Sequence, residues 1–234
     1  MKLNQTLRIA LIVISSTAGI NSLRAQLPYG YSGIPYRDSV YMGNKLNPFG
    51  AQMIPGRVEL AYYDLGGEGV AYHDNNPINE GALLNMKKSE MRPGISEYFA
   101  SFRKEEGVDI NYTKDIVDFG HRNKVDPKVN QLYIGWQEEG EWTNYTVYVN
   151  QAGKYIIYTV YSSIDINPAE IWLNNKFACR LNFSEKTGDL HKWTQSEVGT
   201  INIPKKGLYL LTVKYGSGIN YGYLDFLYNE ARQK

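Results

Sequence analysis

The run Trp142-Thr143-Asn144-Tyr145-Thr146-Val147-Tyr148-Val149, followed by Asn150-Gln151-Ala152-Gly153 and then Lys154-Tyr155-Ile156-Ile157-Tyr158-Thr159-Val160-Tyr161, decides how this chain folds. Both halves are rich in β-branched and aromatic residues and contain no glycine or proline, which is the composition of strands. A strand sends successive side chains to opposite faces. Thr143, Tyr145, Val147 and Val149 therefore share one face, and Trp142, Asn144, Thr146 and Tyr148 share the other. Both faces carry large groups, so both are expected to be at least partly covered. Trp142, inside the strand, reads as a core residue.

Further strands follow at short spacing. Segments 170–173 and 177–181 flank Asn174-Asn175, a hairpin signal because asparagine tolerates the positive φ of a tight turn. Segments 199–203 and 208–215 flank Pro204-Lys205-Lys206-Gly207, and 221–228 closes the chain's regular part. Short strands with turns every 8 to 12 residues or so predict an all-β fold, an antiparallel β-sandwich of the jelly-roll type. No helical period is long enough to compete. Segments of about 78–103 and 111–131 read as loop insertions.

The N-terminal side reads differently. Lys2 and Arg8, the apolar run 9–14 and Leu23-Arg24-Ala25 form the parts of an export signal over residues 1–25, with cleavage before Gln26. The apolar run is far shorter than the roughly 20 residues a membrane-spanning helix needs, so no membrane insertion is expected. Residues 26–53, rich in Pro, Gly, Tyr and Asn, read as an extended arm, and 54–234 as the sandwich domain. The expected location is secreted or periplasmic.

The single cysteine, Cys179, excludes an intramolecular disulfide and reads as a buried, inert thiol. With 25 basic against 24 acidic residues and no basic tract, nucleic acid is not an expected partner. The 20 tyrosines suit both sheet packing and sugar-binding surfaces.

Two segments carry a family likeness. One runs from Ile54-Pro55-Gly56-Arg57-Val58-Glu59 into Asp64-Leu65-Gly66-Gly67-Glu68-Gly69-Val70-Ala71-Tyr72-His73-Asp74. The other is Gly135-Trp136-Gln137-Glu138-Glu139-Gly140-Glu141-Trp142. Over roughly 54–228 the chain resembles the family 6 carbohydrate-binding modules, a divergent relative of these galactose-binding-like sandwiches. The resemblance implies non-catalytic binding of a polysaccharide or glycan in the loops at one end of the sandwich, where two aromatics hold a sugar and an asparagine meets its hydroxyls. It puts the first aromatic at Trp136; the alternative for that residue is a core ring under a turn. It puts the asparagine at Asn220, in Gly218-Ile219-Asn220-Tyr221-Gly222, with a turn residue as the alternative. The second aromatic position falls on Leu190, which offers no ring, while Trp193 sits where a structural aromatic belongs. A register shift would bring Trp193 into the cleft. His191 and Glu138 are candidate hydrogen-bonding partners beside these positions.

The same resemblance implies a calcium site of two glutamates and a late polar ligand. Glu59 matches the first, but Ala61 and Gly222 occupy the other positions. Calcium takes about six to eight oxygens, so no cofactor is expected and Glu59 reads as a remnant. His73, His121 and His191 lack metal-ligand spacing. Glu138, Glu139 and Glu141 supply carboxylates of the type glycoside hydrolysis uses, but nothing in their spacing brings two onto one cleft, so no enzyme is expected. The competing expectation is a structural or protein-interaction sandwich that has lost its sugar site, with other proteins as partners.

Overall fold

A computed structural model of the chain describes residues 26–38, 46, 50–85 and 97–230. The expected export signal lies outside the described residues, as does part of the expected arm. In chain order the strands are β1 (Gln52–Ile54), β2 (Gly56–Glu59), β3 (Tyr72–His73), β4 (Ile110–Tyr112), β5 (Leu132–Ile134) and β6 (Trp142–Val149). They continue as β7 (Gly153–Ser163), β8 (Ala169–Leu173), β9 (Lys176–Leu181), β10 (Asp189–Ile203), β11 (Gly207–Lys214) and β12 (Ile219–Tyr228). Among the described residues of the two insertions are the short helices α1 (Glu80–Asn85), α2 (Glu97–Ala100) and α3 (Asp115–Phe119).

The strands form two sheets, packed as the expected sandwich. Sheet I has the order β1-β6-β11-β8-β9, with β3 also paired to β6. Sheet II has the order β10-β7-β12-β5-β4, with β2 paired to β12. The chain passes from one sheet to the other between β1 and β2, at the cis Ile54–Pro55 peptide. The deciding stretch supplies β6 to sheet I and β7 to sheet II, so its turn is a crossover between layers. Asn174 and Asn175 both take positive φ, 49° and 63°, in the tight turn joining β8 to β9.

The core lies between the sheets. Tyr145, Val147 and Val149 of β6, Leu211 and Val213 of β11 and Ile171 of β8 face Ile157 and Tyr161 of β7 and Leu224 and Phe226 of β12. Removing these side chains from water is the main stabilising term for such a fold. Many of the tyrosines serve this core. A buried hydroxyl must find a partner, and here they find one another: Thr143, Tyr145 and Tyr215 are linked by contacts of 2.6–3.0 Å, and Tyr145 donates to the Leu60 carbonyl at 2.7 Å. Cys179 is buried and unpaired, and burial pushes its thiol up to about 12.

The outer face of sheet I is partly covered by the chain before β3. Asp64 accepts from the backbone N–H and hydroxyl of Thr146 on β6, at 2.8 and 2.6 Å. Ile34 and Leu65 exchange two backbone hydrogen bonds of 2.8 and 2.7 Å, which lays the described arm against this face. β1 begins at Gln52, so the end of the expected arm is already part of sheet I.

Candidate functional site

At the loop end of the sandwich, β5 runs out through Gly135 into Trp136. Trp136 has φ 57°, a left-handed conformation that costs a bulky residue about 1 kcal/mol or more. Its indole is 39 % exposed and lies nearly parallel to Tyr133, with centroids 6.4 Å apart and 12° between planes. Glu138, exposed in the following turn, accepts from the Asn75 amide at 3.3 Å. Both groups are therefore open to solvent.

The other residues of this end are placed differently. Trp193 is fully buried. Its indole N–H donates to Asp118 Oδ1 at 2.7 Å, and its ring packs edge-to-face with Tyr133, centroids 5.3 Å apart. The insertion bearing α3 closes over it: Asn123 Oδ1 accepts from the Trp193 N–H at 2.8 Å, and the Lys124 N–H donates to its carbonyl at 3.0 Å. In this arrangement Trp193 cannot offer a ring to a sugar, and the register shift that would bring it into the cleft does not occur. His191 is half-buried, with Nδ1 3.2 Å from the same Asp118 oxygen and its ring stacked on His121.

Asn220 is only 3 % exposed, and its Nδ2 donates to the Leu190 carbonyl at 2.7 Å. Ser162 Oγ donates to the same oxygen. The position expected to hold a stacking ring thus contributes a backbone carbonyl that binds β10 to β7 and β12. Gly135 permits the approach from the other side, because a Cβ there would stand 2.4 Å from Asn220 Oδ1.

Within the acidic turn, Glu138 and Glu141 both bond to Asn75. Glu141 is buried and accepts from the backbone N–H groups of Glu138 and Asn75, at 2.8 and 3.1 Å, so it staples two loops together. Nearby, burial pushes the Asp74 and Asp109 carboxyls up to about 7 and about 8. Asp109 receives the Glu80 N–H, and Asp74 receives that of Asn76.

Glu59 does not fit calcium. Its Oε2 accepts from the Gln131 amide at 2.9 Å, so an N–H donor points where a cation would need an oxygen. Ala61 is buried without a side-chain oxygen, and Gly222 has no side chain. Burial pushes the Glu59 carboxyl up to about 7. Added calcium, or a chelator, is expected to leave the melting temperature unchanged. A rise with calcium in the wild type that Glu59→Gln abolishes would contradict this.

A second feature lies on the outer face of sheet I: a groove of about 500 Å³. Trp142 on β6 and Trp172 on β8 line it, with Asn144 of β6 and Thr212 and Lys214 of β11 between them. Trp142 is therefore not a core ring; its face of β6 points outward, and its indole lies 6.3 Å from His73. Trp172 is held by its indole N–H to Glu170, 2.9 Å, and by Lys214, whose Nζ lies 4.1 Å from the ring centroid. Asn144 donates to the Val70 carbonyl at 2.8 Å and accepts the Thr212 hydroxyl at 2.5 Å. The strand alternation that puts Trp142 and Asn144 on one face of β6 was readable in the sequence; that β11, with Thr212, and β8, with Trp172, continue that face was not.

Fold and site together define a two-sheet β-sandwich with an aromatic-lined groove on one outer face and an exposed tryptophan at one loop end. No protein-family model matches the chain, and no curated protein matches it. Among solved structures, it is similar to the C-terminal family 6 carbohydrate-binding module of a marine laminarinase from Zobellia galactanivorans. That likeness has 21 % identity over 41 % of this chain and 78 % of the other, at a TM-score of 0.37. It is similar to a carbohydrate-binding module of lichenase 5A from Cellvibrio mixtus, solved with cellotriose, at 17 % identity over 53 % and 88 % of the two chains and a TM-score of 0.42. A β-1,3-glucan-binding family 6 module from Bacillus halodurans is 13 % identical over 76 % of this chain and 98 % of that one, at a TM-score of 0.46.

Proposed function

We propose that this protein is an exported, non-catalytic carbohydrate-binding module that holds a polysaccharide segment in the groove on the outer face of sheet I. The observation that carries the reading is the groove itself: about 500 Å³, the size of a small-ligand site, with Trp142 and Trp172 at its sides. Sugar rings present an apolar C–H face that an indole covers well, and short polar side chains meet the hydroxyls. Asn175, exposed at the rim, supplies such a group, while Asn144 and Thr212 are bonded to each other on the groove floor. The described residues that line the groove are aromatic, amide, hydroxyl and apolar groups with one lysine, a lining suited to binding a sugar chain. The basic and apolar parts of residues 1–25 support export. Trp136, with Glu138 and the half-buried His191 at the loop end, is proposed as an auxiliary platform; Asn220 and Trp193 act there as supports.

The test is affinity electrophoresis through gels containing soluble β-glucan, xylan, mannan or pectin. Wild type is expected to be retarded by one class. Trp142→Ala and Trp172→Ala are each expected to weaken that binding about 30-fold, the loss typical of truncating a central aromatic anchor worth about 2 kcal/mol. Loss of binding in Trp136→Ala alone would move the site to the loop end. No retardation on any gel would favour the second reading, a protein-interaction sandwich, which the closure of the α3 insertion over Trp193 supports.

A further inference from the structure

We infer that the N-terminal arm is the second wall of the groove, and that Tyr29 supplies an aromatic face opposite the tryptophans of sheet I. This rests on the reading of the groove as a sugar site. The arm is pinned on both sides of Tyr29. On one side the Gln26 carbonyl accepts from Asn174 Nδ2, at the β8–β9 turn, at 3.0 Å. On the other, Tyr31 donates its hydroxyl to Asp64 Oδ2 at 2.7 Å. Asp64 is itself fixed to Thr146 of β6, the strand that carries Trp142 and Asn144.

Between the pins the chain makes a tight turn. The Tyr31 N–H donates to the Pro28 carbonyl at 3.2 Å, and Gly30 has φ 81°. That is the pattern of a type II turn, which needs glycine at its third position. A Cβ on Gly30 would meet nothing within 4 Å, so the glycine is there for its backbone conformation and not for space. The turn lifts Tyr29 to its apex with its side chain fully exposed, and the residue is among those lining the groove with Trp142 and Trp172.

A single exposed tyrosine is common and by itself needs no explanation. Here the residue sits on a turn tethered at both ends, and that turn lines a space already walled by two indoles. Of the arm's two aromatics beside the groove, Tyr31 is partly buried and spent on Asp64, whereas Tyr29 is left exposed and free to meet a ligand. A pyranose unit of a glycan chain between arm and sheet would have an aromatic on each side. The tethering also reduces the ordering cost that a loose arm would add to binding.

The experiment uses the full chain, with the same polysaccharide gels and Tyr29→Ala, Tyr29→Phe and Trp142→Ala. Tyr29→Ala is expected to weaken retardation about three- to tenfold, the range of one aromatic contact, and Tyr29→Phe to retain most of it. Neither should change the melting temperature, because Tyr29 packs against nothing in the core. If Tyr29→Ala binds like wild type while Trp142→Ala does not, the arm is no wall and this inference fails, with the groove reading intact. If both variants bind like wild type, the groove reading fails. If wild type is retarded on no gel, both fall together.

Discussion

Trp193→Ala is expected to be among the most damaging single substitutions in this protein, lowering stability by about 3–5 kcal/mol. The side chain is fully buried, and its removal would leave a cavity beside Tyr133 and Val160. It would also take away the indole N–H that donates to Asp118, a carboxylate only 1 % exposed. A buried carboxylate that loses a donor adds its own penalty, about 1–3 kcal/mol. In a chain of this size the two losses correspond to a fall in melting temperature of roughly 10 °C or more. Trp193→Phe keeps a ring against Tyr133 and loses the donor with only part of the ring volume, so it should cost less than the alanine variant. Thermal denaturation followed by circular dichroism measures both. If Trp193→Ala melts within a few degrees of wild type, the closure of the α3 insertion over this residue is wrong, and the loop end is open after all. Trp136→Ala should be mild by comparison, because that ring is 39 % exposed and its left-handed backbone is relieved by nothing that the larger side chain supplies.

Stability is expected to decline as pH rises from about 5 to about 8. Burial, the largest cause in each case, pushes Glu59 and Asp74 up to about 7 and Asp109 up to about 8, from ordinary values of 4.5, 3.8 and 3.8. Neighbouring carboxylates add to it: Glu141 and Glu68 act on Asp74, and Asp74, Glu80 and Glu141 act on Asp109. In each case the folded protein holds its proton more tightly than the unfolded chain does. The linkage relation then makes stability fall with pH between the unfolded and folded values. The contribution is fully present below about pH 4 and lost above about pH 8. A drop in melting temperature of roughly 5–10 °C between pH 5 and pH 8 follows. Asp109→Asn separates this from other pH effects. Asparagine is neutral like the protonated acid and can still accept the Glu80 N–H through its carbonyl oxygen. The variant should melt like wild type at pH 5 and above it at pH 8. A wild-type melting temperature that rises from pH 5 to pH 8 would overturn the argument.

The strands most readable in the sequence were those whose signals are local. β6 and β7 announce themselves by unbroken β-branched and aromatic residues, and the β8–β9 hairpin by Asn174-Asn175, which take the positive φ that asparagine tolerates. β10 was legible only in its last five residues, 199–203. It begins at Asp189, but its register slips between Asp189 and Trp193 and again between Glu197 and Gly199. Each slip breaks the two-residue period that marks a strand, so Leu190 to Glu197 do not alternate as a regular strand would. β4 and β5, read from sequence as insertion and its margin, are three residues each and exist by pairing with each other and with β12.

The site divides along the same line. By itself the sequence determined that Trp142, Asn144, Thr146 and Tyr148 share a face, that Trp136 follows a glycine at a strand end, and that position 190 carries no ring. Those are consequences of strand period and residue chemistry, which act over a few residues. Only the tertiary structure decided what each face meets. It turned Trp142 outward, set Trp172 across β11 from it, and laid Pro28–Ser32 beside both. It also buried Trp193 under an insertion some 70 residues earlier in the chain and bound the Asn220 amide to the Leu190 carbonyl. A side chain's exposure depends on partners distant in sequence, which local periodicity does not encode. Alternation fixes which residues point together, and long-range pairing fixes whether they point at protein, at an open groove or at water.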